Sequence, residues 1–148
     1  MQAKAIKSIR EIQEEIIEEF STLEGDRESM LTYIIELGEK MKPLDEMYKN
    51  NYNIVKGCMS KVWMIHRVED NRLFFSGDSN TAITKGLISL LFRILSGQPC
   101  NDIIHTSLHF VGKIGMIQLI GSQRASGLGN MIKQIKLTAI QQQGQLTP

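Results

Sequence analysis

Lys61-Val62-Trp63-Met64-Ile65-His66-Arg67-Val68-Glu69-Asp70-Asn71-Arg72-Leu73-Phe74-Phe75-Ser76 is the stretch on which the fold turns. Its first half alternates Val62, Met64, His66 and Val68 with Trp63, Ile65 and Arg67, the period of two that a strand imposes on its faces. Glu69-Asp70-Asn71 supplies turn residues, and Arg72 to Ser76 returns as a second apolar run. The pattern predicts an antiparallel hairpin.

Directly before the hairpin, Asn53-Ile54-Val55-Lys56-Gly57-Cys58-Met59-Ser60 reads as a loop, with Asn50, Asn51 and Asn53 favouring irregular backbone on its approach. Gly57 permits backbone angles closed to other residues, so a sharp turn can hold the Cys58 thiol in a defined orientation. Cys58 is therefore a candidate reactive group. The competing reading is a small buried apolar residue, which is what most free cysteines are. His66 stands on the strand face either as a base for that thiol or as an ordinary edge histidine.

Helical periodicity flanks this centre. Ile9, Ile12, Ile16 and Phe20 recur at spacings of three and four within residues 4–20, predicting an amphipathic N-terminal helix, an appendage held by packing because its acids sit late, against the helix dipole. Lys7–Glu11 and Arg10–Glu14 have the spacing of helical ion pairs. Asp26 can cap a second helix carrying Met30, Ile34, Leu37 and Met41, and Pro43 stops it. Gly38 inside that helix suggests close packing against a neighbour. After Gly77-Asp78-Ser79, a helix starting near Asn80 or Thr81 is apolar nearly all round through Leu95, the mark of a buried central helix, and Ser96 to Pro99 ends it.

Cys100 follows at the mouth of a short turn or helix, in a structural role. Residues 105–121, rich in glycine, suggest one short helix and a loop. His105 and His109 share a helical spacing, but no carboxylate or cysteine joins them at metal-ligand spacing. Leu128, Ile132, Ile135 and Ala139 form the stripe of a closing helix capped by Ser126, with Arg124 just before its start, where exposed backbone N–H groups favour an anion. Residues 141–148 read as a frayed tail.

A chain of 148 residues is one domain's worth, and it can bury a core without metal or disulfide staples. A formal net charge of +1 argues against phosphate-backbone binding, so no nucleic acid is expected. The charge is uneven, since no acidic residue follows Asp102. Two cysteines without a Cys-x-x-Cys pair support neither a disulfide framework nor a zinc site. Without a long apolar run or a signal-like N-terminus, the expectation is no membrane and a cytoplasmic location.

Gly57-Cys58-Met59-Ser60-Lys61-Val62-Trp63 resembles the Gly-Cys-x-Ser-x-Val-Trp signature of the SufE family, sulfur acceptors that partner cysteine desulfurases in iron–sulfur cluster assembly. Tyr33-Ile34-Ile35-Glu36-Leu37-Gly38, Gly77-Asp78-Ser79-Asn80-Thr81-Ala82-Ile83-Thr84-Lys85-Gly86-Leu87 and Arg124-Ala125-Ser126-Gly127-Leu128 agree with it in order and spacing. Met59 and Lys61 stand where the family usually has glutamine, and Gln123 and Ala125 flank Arg124 where serines are common. The resemblance covers roughly residues 20–140. It implies an α+β fold, a small antiparallel β-sheet packed against helices and related to the cluster-scaffold proteins. It further implies a single domain over residues 1–148 and a persulfide on Cys58, with Gly57, Ser60 and Arg124 in support. The implied partners are a cysteine desulfurase, itself a pyridoxal-phosphate enzyme, and a downstream iron–sulfur scaffold, with no cofactor or metal of the chain's own. Such a protein is a stoichiometric activator rather than an enzyme. The alternatives are an iron–sulfur or zinc scaffold, which needs clustered ligands, and a stand-alone thiol enzyme, which needs a base beside Cys58.

Overall fold

A computed structural model of the protein describes residues 7–146. Strands β1 (Val62–Glu69) and β2 (Arg72–Ser79) form the hairpin, in register from Val62↔Ser79 to Glu69↔Arg72. Asp70 and Asn71 both take positive φ, 51° and 64°, the conformation of a two-residue turn whose twist matches that of the strands. The return strand reaches Ser79, past the Ser76 limit, and so absorbs Gly77-Asp78-Ser79, which the sequence reads as a connection. Asp78 is tolerated there because its buried carboxylate accepts hydrogen bonds from the Ser79 N–H (2.8 Å) and Leu44 N–H (3.4 Å) and pairs with Lys85 and Lys49.

Helix α1 (Ile9–Ser21) begins at Ser8, which exchanges a capping box with Glu11. That box and longer-range partners replace the expected helical pairs: Lys7 meets Glu15, and Glu14 meets His109. Ile9, Ile16 and Phe20 lie in the core, so α1 belongs to the body of the molecule rather than hanging from it. Its acidic C-terminal turn is answered by Arg93, whose guanidinium grips both oxygens of Glu19 at 2.8 and 2.6 Å. Residues 4–6 of the expected helix lie outside the described residues. Helix α2 (Arg27–Glu39) starts at Asp26, whose side chain accepts the Ser29 N–H. Its buried line is Met30, Ile34 and Gly38.

Helix α3 (Ala82–Leu95) is the buried centre, with Leu87, Ile88, Leu90, Leu91, Ile94 and Leu95 all at 1% exposure or less. It crosses α2 where Gly38 meets Gly86. A methyl group on Gly86 would lie 2.0 Å from the Ile34 carbonyl oxygen, so only glycine lets these backbones approach. Gln98–Pro99 forms a short strand β3 on β2, giving sheet order β1-β2-β3 where the sequence shows only a stop. Two residues are too few to display a period.

Helices α4 (Cys100–His105), α5 (Phe110–Ile114) and α6 (Met116–Ile120) follow. Residues 105–121 thus hold two short helices, not one and a loop; Gly115, at φ +76°, ends α5 and opens α6. Helix α7 (Ser122–Leu146) starts after Gly121, earlier than expected, and runs well into the stretch expected to fray. Ser126 therefore lies inside it rather than capping it, and residues 147–148 lie outside the described residues. The result is an α+β arrangement of a three-stranded antiparallel sheet and seven α-helices among the described residues. None of these helices is long and apolar enough to cross a membrane.

Candidate functional site

The cysteine loop is closed at its base by strand-like pairing. The Val55 N–H donates to the Val62 carbonyl at 2.8 Å and the Met64 N–H to the Asn53 carbonyl at 2.9 Å, so residues 56–61 leave and rejoin the sheet at one point. The far side is tied to the α3 N-terminus, where the Lys61 N–H meets Asn80 Oδ1 at 2.9 Å and the Asn80 N–H returns to the Lys61 carbonyl at 3.2 Å. The tip is then shaped by glycine. Gly57 takes φ +82°, and a methyl group there would lie 2.3 Å from Asn130 Nδ2. That Asn130 amide donates to the Gly57 carbonyl at 2.8 Å, fastening the tip to α7.

Cys58 is partly buried, with Sγ 3.4 Å from the Gly127 carbonyl oxygen. Gly127 sits in α7 against the thiol, where a methyl group would come 3.5 Å from Sγ. Burial pushes the thiol pKa up, because the thiolate loses hydration there. Beside the thiol lies a pocket of about 20 Å³, lined by Cys58, Met59, Ser60, Thr84, Gln123, Arg124, Gly127 and Met131. That is room for roughly one water-sized atom. Ser60 Oγ lies 2.7 Å from Thr81 Oγ1 and 3.2 Å from Thr84 Oγ1, so a chain of hydroxyls pins the loop to α3.

Gly57, Cys58, Ser60 and Arg124 are thus brought to one place. Arg124 is not ahead of its helix but in the first turn of α7, exposed, with Nη1 donating to the Ile120 carbonyl at 3.2 Å. The sequence offers no signal for Asn130, and for Thr84 only its place in a matched block. For Gly127 the signal is a glycine inside a helical pattern, in a block already matched.

The histidines go elsewhere. His66 lines a separate cleft, and its Nε2 lies 3.3 Å from Gln142 Nε2. His105 ends α4 with Nδ1 2.8 Å from the Asn101 carbonyl oxygen, and His109 precedes α5 with Nε2 2.8 Å from Glu14 Oε1. Their common spacing is therefore not one helical face. Cys100 is buried at 2% exposure, and burial raises its pKa too. Among the described residues, no three His, Cys, Asp or Glu side chains gather where they could hold a metal ion.

The family model for SufE, an Fe-S metabolism associated domain, matches residues 14–139. An uncharacterized SufE-like protein of Rhizobium meliloti is 37% identical over 131 residues, covering 85% of this chain and 93% of its own. A cysteine desulfuration protein SufE of Wigglesworthia glossinidia brevipalpis is 33% identical over 126 residues, covering 83% and 86%. The solution structure of a hypothetical protein from Thermus thermophilus superposes with a TM-score of 0.72 over 88% of this chain and 94% of that one. Its 16% identity speaks for the fold alone. With its cysteine loop, its hairpin and α2 through α6 inside the matched span, and most of α1 and α7 as well, the chain belongs to the SufE family.

Proposed function

We propose that the protein accepts a sulfane sulfur from a cysteine desulfurase onto Cys58, raises that enzyme's turnover and hands the sulfur on to iron–sulfur cluster assembly. The Cys58 thiolate attacks the outer sulfur of the persulfide carried by the desulfurase. The bond between that sulfur and the desulfurase cysteine breaks, the cysteine leaves as a thiolate, and Cys58 becomes the persulfide. Electrons balance without an external oxidant. A thiol whose pKa is raised by burial is a poor nucleophile while it rests in its pocket, so reaction calls for the loop to present it to the partner.

The observation that carries this reading is the pocket beside Cys58, sized for about one further atom and roofed by a glycine-shaped loop. It would shelter a terminal sulfur from water and oxidants once the transfer is made. Arg124, on the same pocket, would offset the negative charge of that sulfur. A scaffold role would need a ligand cluster that the described residues do not supply, and a thiol enzyme would need His66 beside Cys58 rather than in another cleft. The test is to incubate the protein with a cysteine desulfurase and L-cysteine and weigh it intact. One added sulfur on the wild type and none on Cys58→Ser is expected; an unmodified wild type, or sulfur retained by Cys58→Ser, overturns the proposal.

A further inference from the structure

A cleft of about 940 Å³ starts at the residue before the reactive cysteine: Lys56 and Gly57 form its near end, Tyr48 and residues 52–55 one wall, and α7 from Asn130 to Gln141 the other. Three of the large apolar side chains that the molecule leaves exposed line it, Tyr48 at 38%, Tyr52 at 99% and Leu137 at 42%. The charged side chains in its lining are Lys56 and Lys133, both exposed, and no Asp or Glu joins them.

Its floor includes an open sheet edge. β1 is the outer strand of the sheet, and its outward bonds at Val62 and Met64 are taken by Val55 and Asn53. By the alternation of an antiparallel ladder, the next outward-facing backbone groups belong to His66 and then Val68. Neither N–H has a hydrogen-bond partner among the described residues, and His66 lines the cleft. An unpaired edge beside apolar and cationic side chains is the arrangement by which a sheet adds a strand from another chain.

We infer that this cleft seats an extended, carboxylate-bearing segment of the desulfurase. The segment pairs with β1 at His66 beyond the Asn53–Val55 bridge, places its acids against Lys56 and Lys133, and packs apolar side chains against Tyr48, Tyr52 and Leu137. The inference rests on the sulfur-acceptor reading. Docking there brings the partner to the near end of the Cys58 loop, because Gly57 belongs to both.

The experiment takes the cysteine desulfurase that loads Cys58 and measures its affinity for three chains: wild type, the double variant Lys56→Gln/Lys133→Gln, and Lys113→Glu, an exposed lysine of α5 outside the cleft whose reversal changes the net charge by the same amount. The double variant should raise Kd by about tenfold or more and flatten its dependence on salt, while Lys113→Glu stays at the wild-type value. Amide exchange at His66 and Val68 should slow when the desulfurase binds. Equal affinity for all three chains, or unprotected amides at His66 and Val68, overturns the cleft while leaving sulfur acceptance standing. Sedimentation that shows wild-type dimers abolished by the double variant, with desulfurase affinity unchanged, assigns the cleft to a second copy and also overturns it. If no desulfurase loads or binds the wild type, the sulfur-acceptor reading fails and takes the cleft with it.

Discussion

At the scale of single residues, the proposed role of the loop divides between Cys58, for chemistry, and Gly57, for shape. Because the thiol is only partly buried and its neighbour is a carbonyl, Cys58→Ser should change stability by less than about 1 kcal/mol in urea unfolding, while sulfur gain is lost and desulfurase binding persists. A folded Cys58→Ser protein that stimulates the desulfurase normally would remove the cysteine from the mechanism. Burial also sets a pH dependence: with its pKa raised, the thiol reacts with iodoacetamide only as pH climbs past the ordinary cysteine value of about 8.5. Alkylation followed by mass spectrometry should place the midpoint above that value, and docking of the desulfurase should move it. Gly57→Ala is expected to be worse for function than for folding. It forces a side chain into φ +82° and against the Asn130 amide, costing about 1–3 kcal/mol, and it displaces the tip that holds Cys58. Sulfur transfer that stayed at the wild-type rate would show that the tip conformation is dispensable.

At the scale of elements, the α2–α3 crossing depends on two glycines facing each other. Gly86→Ala puts a methyl group 2.0 Å from the Ile34 carbonyl oxygen, a backbone atom that cannot turn aside, so the helices must separate. The expected loss is about 2–3 kcal/mol in chemical unfolding, read against Gly129→Ala as a control, since a methyl group there meets nothing within 4 Å. The consequence reaches the site, because α3 carries Thr84, which bonds Ser60, and its N-cap Thr81 bonds Ser60 as well. Similar stability for the two variants would mean that the crossing has slack. Other polar ties between elements escape a periodicity reading: Gln13, at 1% exposure, binds the Ser107 carbonyl and the Phe110 N–H at 3.1 Å each, joining α1 to the segment before α5.

Across the whole molecule, Asp78 is the buried charge that links distant parts of the chain. Burial alone would raise its pKa, but the Ser79 N–H, Lys85 and the Leu44 N–H outweigh that and hold it below the ordinary value. A carboxylate with a depressed folded pKa contributes stability that is fully present above the unfolded value, about 3.9, and is lost as pH falls through the folded one. Asp78→Asn should therefore cost about 1–3 kcal/mol at pH 7, with the gap to wild type closing below about pH 4. Urea midpoints across that range give the check, and a gap independent of pH would assign the effect to packing. Glu19 acts in the same direction: the Arg93 guanidinium holds its carboxyl low, while burial and this carboxylate push the Tyr33 hydroxyl up to about 12.

The hairpin, the capped second helix, the buried third helix and the special cysteine loop were all legible in residue patterns, because each depends on spacing and turn chemistry carried within a few neighbours. Gly38 could likewise be read as a close contact, since a helix tolerates its loss of stability only for a reason. The partners in space were not legible. That Gly127 and Asn130 meet the Cys58 loop, that Gln98 and Pro99 complete the sheet, that Asp78 is buried within a strand, and that His105 and His109 face different neighbours are pairings between residues far apart in the chain. Local sequence sets which backbone shapes are cheap, whereas such pairings arise only when those shapes pack against one another. The sequence by itself therefore determined most of the elements and marked Cys58 as the candidate reactive residue, and the tertiary structure decided what surrounds that residue, because burial and proximity belong to the packed whole.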